Sequence, residues 1–339
     1  MGDVMTRDAL GRIFKIEKSL GRSDVFDINF HYDGRPDVVR SFHHEHKDGL
    51  GALRSSLWDL HQYRLLLPRF HMKSGGLFRY FAGILAMLSD FSPSIIKWKK
   101  FEKDWGTHPG ARGFRVLSRD STKNLLTRLK ERELPFNAWL LFIINQIVAD
   151  SLAAAEETKF RWLFPVNVRS TVEEQTLESN FTSSVGLTLK RGDSLEIFKA
   201  HYKTSLIASR IKASHFLATF VASLPERWLL KLAIARGQKN MWVGSYSNVG
   251  RWDFSELDDA QSFPSAISLA PPAGTPCFPI GVGIITWRGR LSICLRLHPC
   301  LIDHDEIHED LLDKILTSMS DDLRFPCHLS QSSREHTTS

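Results

Sequence analysis

Three histidines stand between an apolar run and a helical pattern in residues 38–60, which read VVRSFHHEHKDGLGALRSSLWDL. Upstream, apolar and polar residues alternate through residues 24–44 and are interrupted by the turn sequence YDGRP, which is the pattern of a β-hairpin. Downstream, leucines recur at helical spacing, and Asp48 stands where a helix N-cap is expected. We therefore predict that the histidine cluster lies on a connection between the second strand of a hairpin and a helix.

The composition is that of a globular protein with a large core. Of the 339 residues, 42% are hydrophobic and 24% are charged, which suits one large domain or two lobes. The net charge is +6, yet lysine and arginine are scattered among acidic residues with no long basic block. No nucleic-acid partner is predicted, because proteins that bind nucleic acids usually cluster their basic residues.

The cysteines, the first residues and the apolar segments indicate where in the cell the protein is expected. The four cysteines form no C-x-x-C pair, so neither a disulfide framework nor a structural zinc site is predicted. The first residues lack the apolar core of a secretory signal. Two apolar segments, residues 77–88 and 138–155, are too short or too interrupted by polar residues to read as membrane spans. The expected location is the reducing cytoplasm.

The remaining chain predicts a mixed α/β organisation. Residues 76–112 mix Trp, Lys, Pro and Gly without a clear period, which indicates a crossover linker. After this linker, strands are predicted at residues 114–118, 161–169, 183–190, 243–250, 265–272, 277–289 and 290–298. Helices are predicted at residues 119–134, 135–155 with Asn137 as its cap, 194–214, 226–237 and 303–319.

The histidine cluster contains a recognisable motif. His43, His44, Asp48 and Gly49 form the pattern H-H-x-x-x-D-G. This pattern resembles the active-site motif of the coenzyme-A-dependent acyltransferase superfamily, which includes chloramphenicol acetyltransferase, plant BAHD acyltransferases, wax ester synthases, alcohol acetyltransferases and condensation domains of nonribosomal peptide synthetases. Later segments are similar to that superfamily in their order: LPFNAWLLFIINQIV, FPVNVRS, ESNFTSSVGLTL, SNVG, and a closing hairpin and helix.

The resemblance implies a fold and an activity. The fold would be α/β and two-lobed, of the chloramphenicol acetyltransferase type with mixed sheets. The activity would be the transfer of an acyl group from a thioester to a hydroxyl or amine acceptor, with His44 as the general base. His43 would brace the loop, Asp48 would hold it through an ion pair with an arginine, and Gly49 would let the chain turn tightly.

Polar residues on the later strands are the candidates for binding substrate. The residues assigned to this role are Asn180, Ser183, Ser184, Ser247, Asn248 and Arg169. For Arg169 an ion-pair role is the alternative. No bound cofactor is expected, and the co-substrate would be acyl-coenzyme A or acyl-phosphopantetheine, the latter on an acyl carrier protein. The basic, aromatic-rich linker at residues 77–105 would also fit peripheral contact with a membrane.

The N-terminal lobe is expected to be truncated. Only 42 residues precede His43, whereas the superfamily places long strands and helices before this motif. The arginine that pairs with Asp48 is sought upstream, at Arg12 or Arg22. The predicted organisation is a partial N-terminal lobe at residues 1–75, the linker at 76–112, a C-terminal lobe at 113–326 and a disordered tail at 327–339.

Two other functions are kept as alternatives. The short N-terminal lobe leaves open a catalytically degenerate acyltransferase-like protein that serves as a binding or scaffold module. A second pattern, H-x-H-x-D-x-x-G, is met by His44, His46, Asp48 and Gly51 and is similar to the zinc-ligand stretch of the metallo-β-lactamase fold. That stretch carries a further histidine where Gly49 stands, so we favour acyl transfer and predict no metal.

Overall fold

The computed structural model shows the mixed α/β fold that the sequence predicts. It describes residues 9–21, 23–69, 84–85, 95–102, 110–169, 180–237, 242–254, 262–272, 275–302 and 306–323. The strands in this part of the chain are β1 (Val25–His31), β2 (Val38–His43), β3 (Arg112–Val116), β4 (Lys159–Asn167), β5 (Thr182–Lys190), β6 (Gly244–Trp252), β7 (Ala266–Ala270), β8 (Ile280–Trp287) and β9 (Arg290–Leu297). The helices are α1 (Ala9–Ser19), α2 (Gly49–His61), α3 (Arg119–Glu131), α4 (Phe136–Ser151), α5 (Leu195–Ser205), α6 (Ala208–Ala222), α7 (Glu226–Gly237) and α8 (Ile307–Leu323).

The smaller of two sheets contains the predicted hairpin. Strands β1 and β2 pair antiparallel, and β7 pairs antiparallel with the other edge of β1, which gives the order β2-β1-β7. Phe26, Ile28 and Phe30 alternate along β1 and pack in one buried cluster with Leu53 and Leu57 of α2. The leucine stripe that predicted the helix is therefore the face of α2 that covers the hairpin.

The larger sheet has six strands in the order β3-β9-β8-β6-β4-β5. Strands β8 and β9 form the predicted closing hairpin, and its turn residues Arg288 and Gly289 both have positive φ, 48° and 76°. This is the pairing of dihedral signs that a two-residue hairpin turn requires. Strand β6 runs parallel to both of its neighbours, so the sheet is mixed, as predicted.

Helix α4 fills the centre of the larger core. Trp139, Leu140 and Ile144 are fully buried among apolar side chains from β4, β6, β8 and α8. The sequence prediction of a buried, nearly all-apolar helix is confirmed. Within the described part of the chain, no helix combines the length and the apolarity that crossing a bilayer would require.

The two sheets meet where β7 lies against β8. A Cβ added at Gly283 would come within 1.9 Å of the Leu269 carbonyl oxygen, so only glycine allows this approach of the two backbones. Strand β7 comes from the C-terminal half of the chain but completes the sheet of the N-terminal hairpin. The histidine-bearing hairpin is thereby fixed against the larger sheet.

Several local predictions need correction. The helix predicted at residues 194–214 is two helices, because α5 packs on α4 whereas α6 turns to cover β5 and α1. Asn137 does not cap α4: the cap residue is Pro135, and the Asn137 side chain accepts a hydrogen bond from Asn248 instead. Helix α1 was not predicted. Most of the predicted linker at residues 76–112 and the whole tail at 327–339 lie outside the described residues.

Candidate active site

The H-H-x-x-x-D-G motif forms a compact turn between β2 and α2, as predicted. Strand β2 ends at His43, and α2 begins at Gly49. The backbone N–H groups of His46 and Lys47 both donate to the His43 carbonyl, at 3.0 and 3.1 Å, and close the turn. The rings of His43 and His44 leave this turn toward different neighbours, so the two histidines have different surroundings.

Asp24, just before β1, holds the turn in place. Its carboxylate accepts hydrogen bonds from Nδ1 of His43 at 2.7 Å and from the backbone N–H of Glu45 at 3.1 Å. Its carbonyl accepts from the backbone N–H of His44 at 3.1 Å. Burial alone would raise the pKa of the Asp24 carboxyl, but the hydrogen bonds from His43 and Glu45 outweigh it and lower that pKa. Asp24 is therefore ionised, and its hydrogen bonds hold the histidine turn against the start of β1.

The His44 ring lies between two aromatic rings. Phe14 of α1 stacks on it with ring centroids 5.1 Å apart and planes 14° apart, and Phe26 of β1 lies 4.5 Å away. This burial lowers the pKa of His44 to about 4, although the negative charges of Asp48 and Asp24 act in the opposite direction. The imidazole is consequently neutral at pH 7, which is the state a proton acceptor needs.

Only one ring nitrogen of His44 is left for a ligand. Nδ1 is buried and has no hydrogen-bond partner among the described residues. Nε2 is not among the buried side-chain atoms that lack a partner, and it forms no hydrogen bond within the described residues, so it is the ring nitrogen open to an acceptor molecule. The backbone of His44 is fixed on both sides, because its carbonyl also accepts a hydrogen bond from Nδ2 of Asn180 at 2.9 Å. The geometry thus presents one neutral imidazole nitrogen from a rigid turn.

The Asp48 carboxylate accepts hydrogen bonds from three parts of the protein. Oδ1 accepts from the backbone N–H of Gly51 at 2.9 Å, which is the predicted N-cap of α2. Oδ2 accepts from the backbone N–H of Phe181 at 2.8 Å and from the Thr182 hydroxyl at 3.2 Å. These contacts fasten the histidine turn to the start of β5.

The ion-pair partner of Asp48 is Arg169. Nη2 of Arg169 lies 2.7 Å from Oδ1 of Asp48, and both side chains are almost fully buried. The expectation of an upstream partner was wrong: Arg12 donates to the Leu224 carbonyl, and Arg22 lies outside the described residues. Of the two roles considered for Arg169, the ion pair is the one that the geometry provides.

The structure requires glycine at position 49 for a different reason from the one predicted. Its φ is not positive, and it is the first residue of α2 rather than part of a tight turn. A Cβ at this position would lie 3.1 Å from Cγ1 of Val249 and 3.6 Å from Cδ2 of Leu269. Glycine therefore lets the helix start pack closely on β6 and β7.

The predicted substrate-binding residues divide between the two faces of the large sheet. Ser183 donates to the Ile211 carbonyl of α6 at 3.4 Å, and Asn248 donates to Asn137 of α4 at 2.6 Å, so both face the helices. Side chains alternate along a strand, so Ser184 shares the other face with Thr182, which contacts Asp48.

Ser247 lies on the histidine side by the same reasoning. Its neighbour Tyr246 stacks on Phe164 within the helix-covered core, with ring centroids 5.6 Å apart. Its other near neighbour, Val249, contacts Gly49 at the start of α2. Asn180, Ser184 and Ser247 therefore lie on the side of His44, whereas Ser183 and Asn248 do not.

The zinc hypothesis finds no support in the geometry. His46 lies edge-on to His43 with ring centroids 6.5 Å apart, and the Asp48 carboxylate is occupied by four protein donors. Among the described residues, no three His, Cys, Asp or Glu side chains are grouped so that they could hold a metal ion. His44, His46 and Asp48 do not form a metal centre.

Two residues of the site were missed by sequence reasoning. Asp24 precedes a strand and resembles any polar residue at a strand end, and Phe14 belongs to a helix that was not predicted. The apolar residues Leu10, Ile13 and Phe14 of α1 recur at helical spacing, and this periodicity is the signal that could have revealed the helix. Nothing local to Asp24 indicates its contact with His43, which lies 19 residues away.

Comparison with known proteins identifies the fold. No protein-family model matches the chain, and no curated protein matches it. Among solved structures it is similar to the TRI3 trichothecene 15-O-acetyltransferase from Fusarium sporotrichioides, with 12% identity and a TM-score of 0.59, covering 84% of this chain and 65% of that one.

Two domains of multidomain synthases are also similar. The condensation domain of the Monacolin K polyketide synthase MokA gives 10% identity and a TM-score of 0.52 over 86% of this chain and 70% of that one. The epimerization domain of the third module of tyrocidine synthetase B is 13% identical, with a TM-score of 0.51 over 85% of this chain and 69% of that one. The chain thus spans about two thirds of the length of these structures, and it shares the α/β fold of these acetyltransferase, condensation and epimerization structures, as predicted.

Proposed function

We propose that this protein is an acyltransferase in which Nε2 of His44 is the general base. The observation that carries the proposal is the His44 imidazole itself: it is neutral, its Nδ1 is buried, and its backbone is held by Asp24 and Asn180. Its place in the H-H-x-x-x-D-G turn of an acyltransferase-type fold supports this role.

The reaction would be a direct transfer without an acyl-enzyme. The acceptor hydroxyl or amine attacks the thioester carbonyl, and Nε2 of His44 removes the acceptor proton as the new carbon–oxygen or carbon–nitrogen bond forms. The carbon–sulfur bond then breaks, and the imidazolium returns the proton to the departing thiolate. A general base of this kind contributes on the order of a hundred- to ten-thousand-fold to the rate.

The carboxylates near His44 would act in the step that charges the ring. A pKa of about 4 makes His44 a weak base in the free protein. The negative charges of Asp24 and Asp48 favour its protonated form, so they would stabilise the imidazolium while the acceptor attacks. Ser184 and Ser247, on the same side of the sheet, are the proposed donors to the developing oxyanion.

The donor is proposed to be an acyl thioester, either acyl-coenzyme A or an acyl-phosphopantetheine on a carrier protein. Of the similar structures, one is an acetyltransferase, one is a domain of a peptide synthetase module and one is a condensation domain of a polyketide synthase, so they leave both kinds of donor open. The acceptor would be a small-molecule alcohol or amine.

The test is release of free thiol from acetyl-coenzyme A in the presence of a panel of alcohols and amines. The His44→Ala variant should lose at least about a hundredfold in turnover, the lower limit for removing a general base. His46→Ala is the matched control and should keep the wild-type rate, because His46 lies on the same turn without contacting the proposed reacting atoms. Full activity of His44→Ala with any acceptor that the wild type uses would refute the proposal.

A further inference from the structure

A basic cleft lies on the helix-covered face of the large sheet. Its volume is about 390 Å³, and four of its nine lining residues are Lys or Arg, whereas none is Asp or Glu. One wall is Thr286 of β8, whose neighbours Ile285 and Trp287 pack in the α2 cluster on the other face. The cleft is therefore separate from the site around His44.

Helix α3 supplies a stripe of positive charge along this cleft. Arg119, Lys123 and Lys130 line it together with Thr127, at spacings of four, four and three residues, which places them on one side of the helix. Neither Lys123 nor Lys130 forms a salt bridge within the described residues. A bound anion would neutralise the positive charge of these two lysines.

Arg251 on the facing wall adds a fourth cation, and Thr122 of α3 adds a hydroxyl donor. Arg251 of β6 is the register partner of Thr286, and it also pairs with Asp253 at the surface. The Thr122 hydroxyl accepts a hydrogen bond from the backbone N–H of Leu291 at 3.0 Å, which leaves its own O–H free to donate. The β8–β9 turn closes one end, where Gly289 lies against Arg119.

We propose that this cleft binds the phosphate groups of a small phosphorylated molecule. Lysine, arginine and hydroxyl donors converge here with no Asp or Glu among the lining residues, and such donors suit several adjacent phosphate oxygens. The volume falls within the range of small-molecule sites. Two sources share this chemistry: the nucleotide end of a coenzyme-A donor, and a separate phosphorylated metabolite.

The test is isothermal titration calorimetry with pyrophosphate, ADP and coenzyme A at low ionic strength. The Lys123→Gln/Lys130→Gln double variant should bind pyrophosphate at least about tenfold more weakly than the wild type. The matched control is Lys159→Gln/Lys190→Gln, which removes two exposed lysines that are register partners on β4 and β5. The control should bind as the wild type does, and so should His44→Ala, because phosphate binding does not depend on acyl transfer.

The affinities for the three ligands show which of the two phosphorylated molecules, the coenzyme-A donor or a separate metabolite, occupies the cleft. If coenzyme A loses affinity in parallel with pyrophosphate, the cleft takes the nucleotide end of the donor. If pyrophosphate and ADP depend on Lys123 and Lys130 but coenzyme A does not, the cleft serves a separate phosphorylated molecule. Binding that is absent, or equal in the two double variants for all three ligands, would overturn the proposal. Equal melting temperatures of the two double variants show that both are folded.

Discussion

Arg169 and Asp48 are 121 residues apart in sequence, yet Nη2 of Arg169 donates to Oδ1 of Asp48 at 2.7 Å in a nearly solvent-free position. Arg169 follows β4, and Asp48 caps α2, so the pair ties the histidine turn to the large sheet. Nη1 of Arg169 also donates to Oδ1 of Asn167 at 3.0 Å, which orients the guanidinium.

Removing one member of this pair should destabilise the protein strongly. Arg169→Met leaves a buried, uncompensated carboxylate, and we expect a loss of about 3–5 kcal/mol in the free energy of unfolding by urea. Asp48→Asn keeps a capping oxygen but loses the charge, so it should lower both stability and turnover. The exposed Arg12→Ala is the control and should change stability by less than about 0.5 kcal/mol. A loss below 1 kcal/mol in Arg169→Met would contradict a structural role for the pair.

The pH dependence of catalysis should reflect the lowered pKa of His44. With a pKa of about 4 instead of the ordinary 6.5, the imidazole stays neutral down to mildly acidic pH. The acid limb of kcat/KM that belongs to His44 should therefore lie near 4, with no fall between pH 7.5 and 5.5. Phe14→Ala removes the stacked ring and should move this limb upward toward 6.5, because it returns the imidazole to water. A wild-type acid limb at 6.5 would show that His44 is not the titrating base.

The same shift contributes to stability in a defined pH window. Between pH 4 and 6.5 the unfolded chain binds a proton at His44 that the folded protein does not. The stability contributed by the neutral, buried ring is complete above about pH 6.5 and is lost as the pH falls toward 4. Urea unfolding of the wild type and of His44→Gln at pH 7 and pH 5 measures the contribution of His44 to the free energy of unfolding at each pH. The difference between the two proteins should shrink at the lower pH, and an equal difference at both pH values would contradict the lowered pKa.

The bond between Asp24 and His43 should position the turn rather than take part in chemistry. Asp24→Asn removes the negative charge that accepts from His43 and from the Glu45 backbone, so it should lower kcat and move the acid limb of His44 below 4, because the Asp24 charge favours the protonated ring. His43→Ala should cost less in kcat than His44→Ala. Steady-state kinetics across pH separates these roles. The assignment fails if His43→Ala abolishes turnover and His44→Ala does not.

Close packing at Gly49 should not tolerate a larger side chain. Gly49→Val places atoms against Val249 and Leu269, and we expect a loss of about 1–3 kcal/mol from overpacking. Val249→Ala in the same chain makes room, so the double variant should regain part of that stability. Thermal unfolding of the two single variants and the double variant measures the coupling. Simple additivity of the two losses would show that the contact does not set the requirement for glycine.

The sequence by itself determined the features that depend on residues close together in the chain. Periodicity located the β1–β2 hairpin, helix α2 with its Asp48 cap, the buried helix α4 and the closing hairpin β8–β9. Each follows from alternation, helical spacing or turn residues, and these are local properties. His44 was predicted through the resemblance of the H-H-x-x-x-D-G motif to a known family, and the fold that this resemblance implied is confirmed by the similar structures.

Only the tertiary structure decided which distant residues meet the histidine turn. Arg169, Asn180, Phe14 and Asp24 reach it from four separate elements, and no pattern around any of them reveals that contact. The faces of Ser183 and Ser184 could not be assigned either, because alternation separates neighbouring side chains without saying which face is covered by helices. The lowered pKa of His44 has the same origin, since burial is a property of the packed chain and not of the residue.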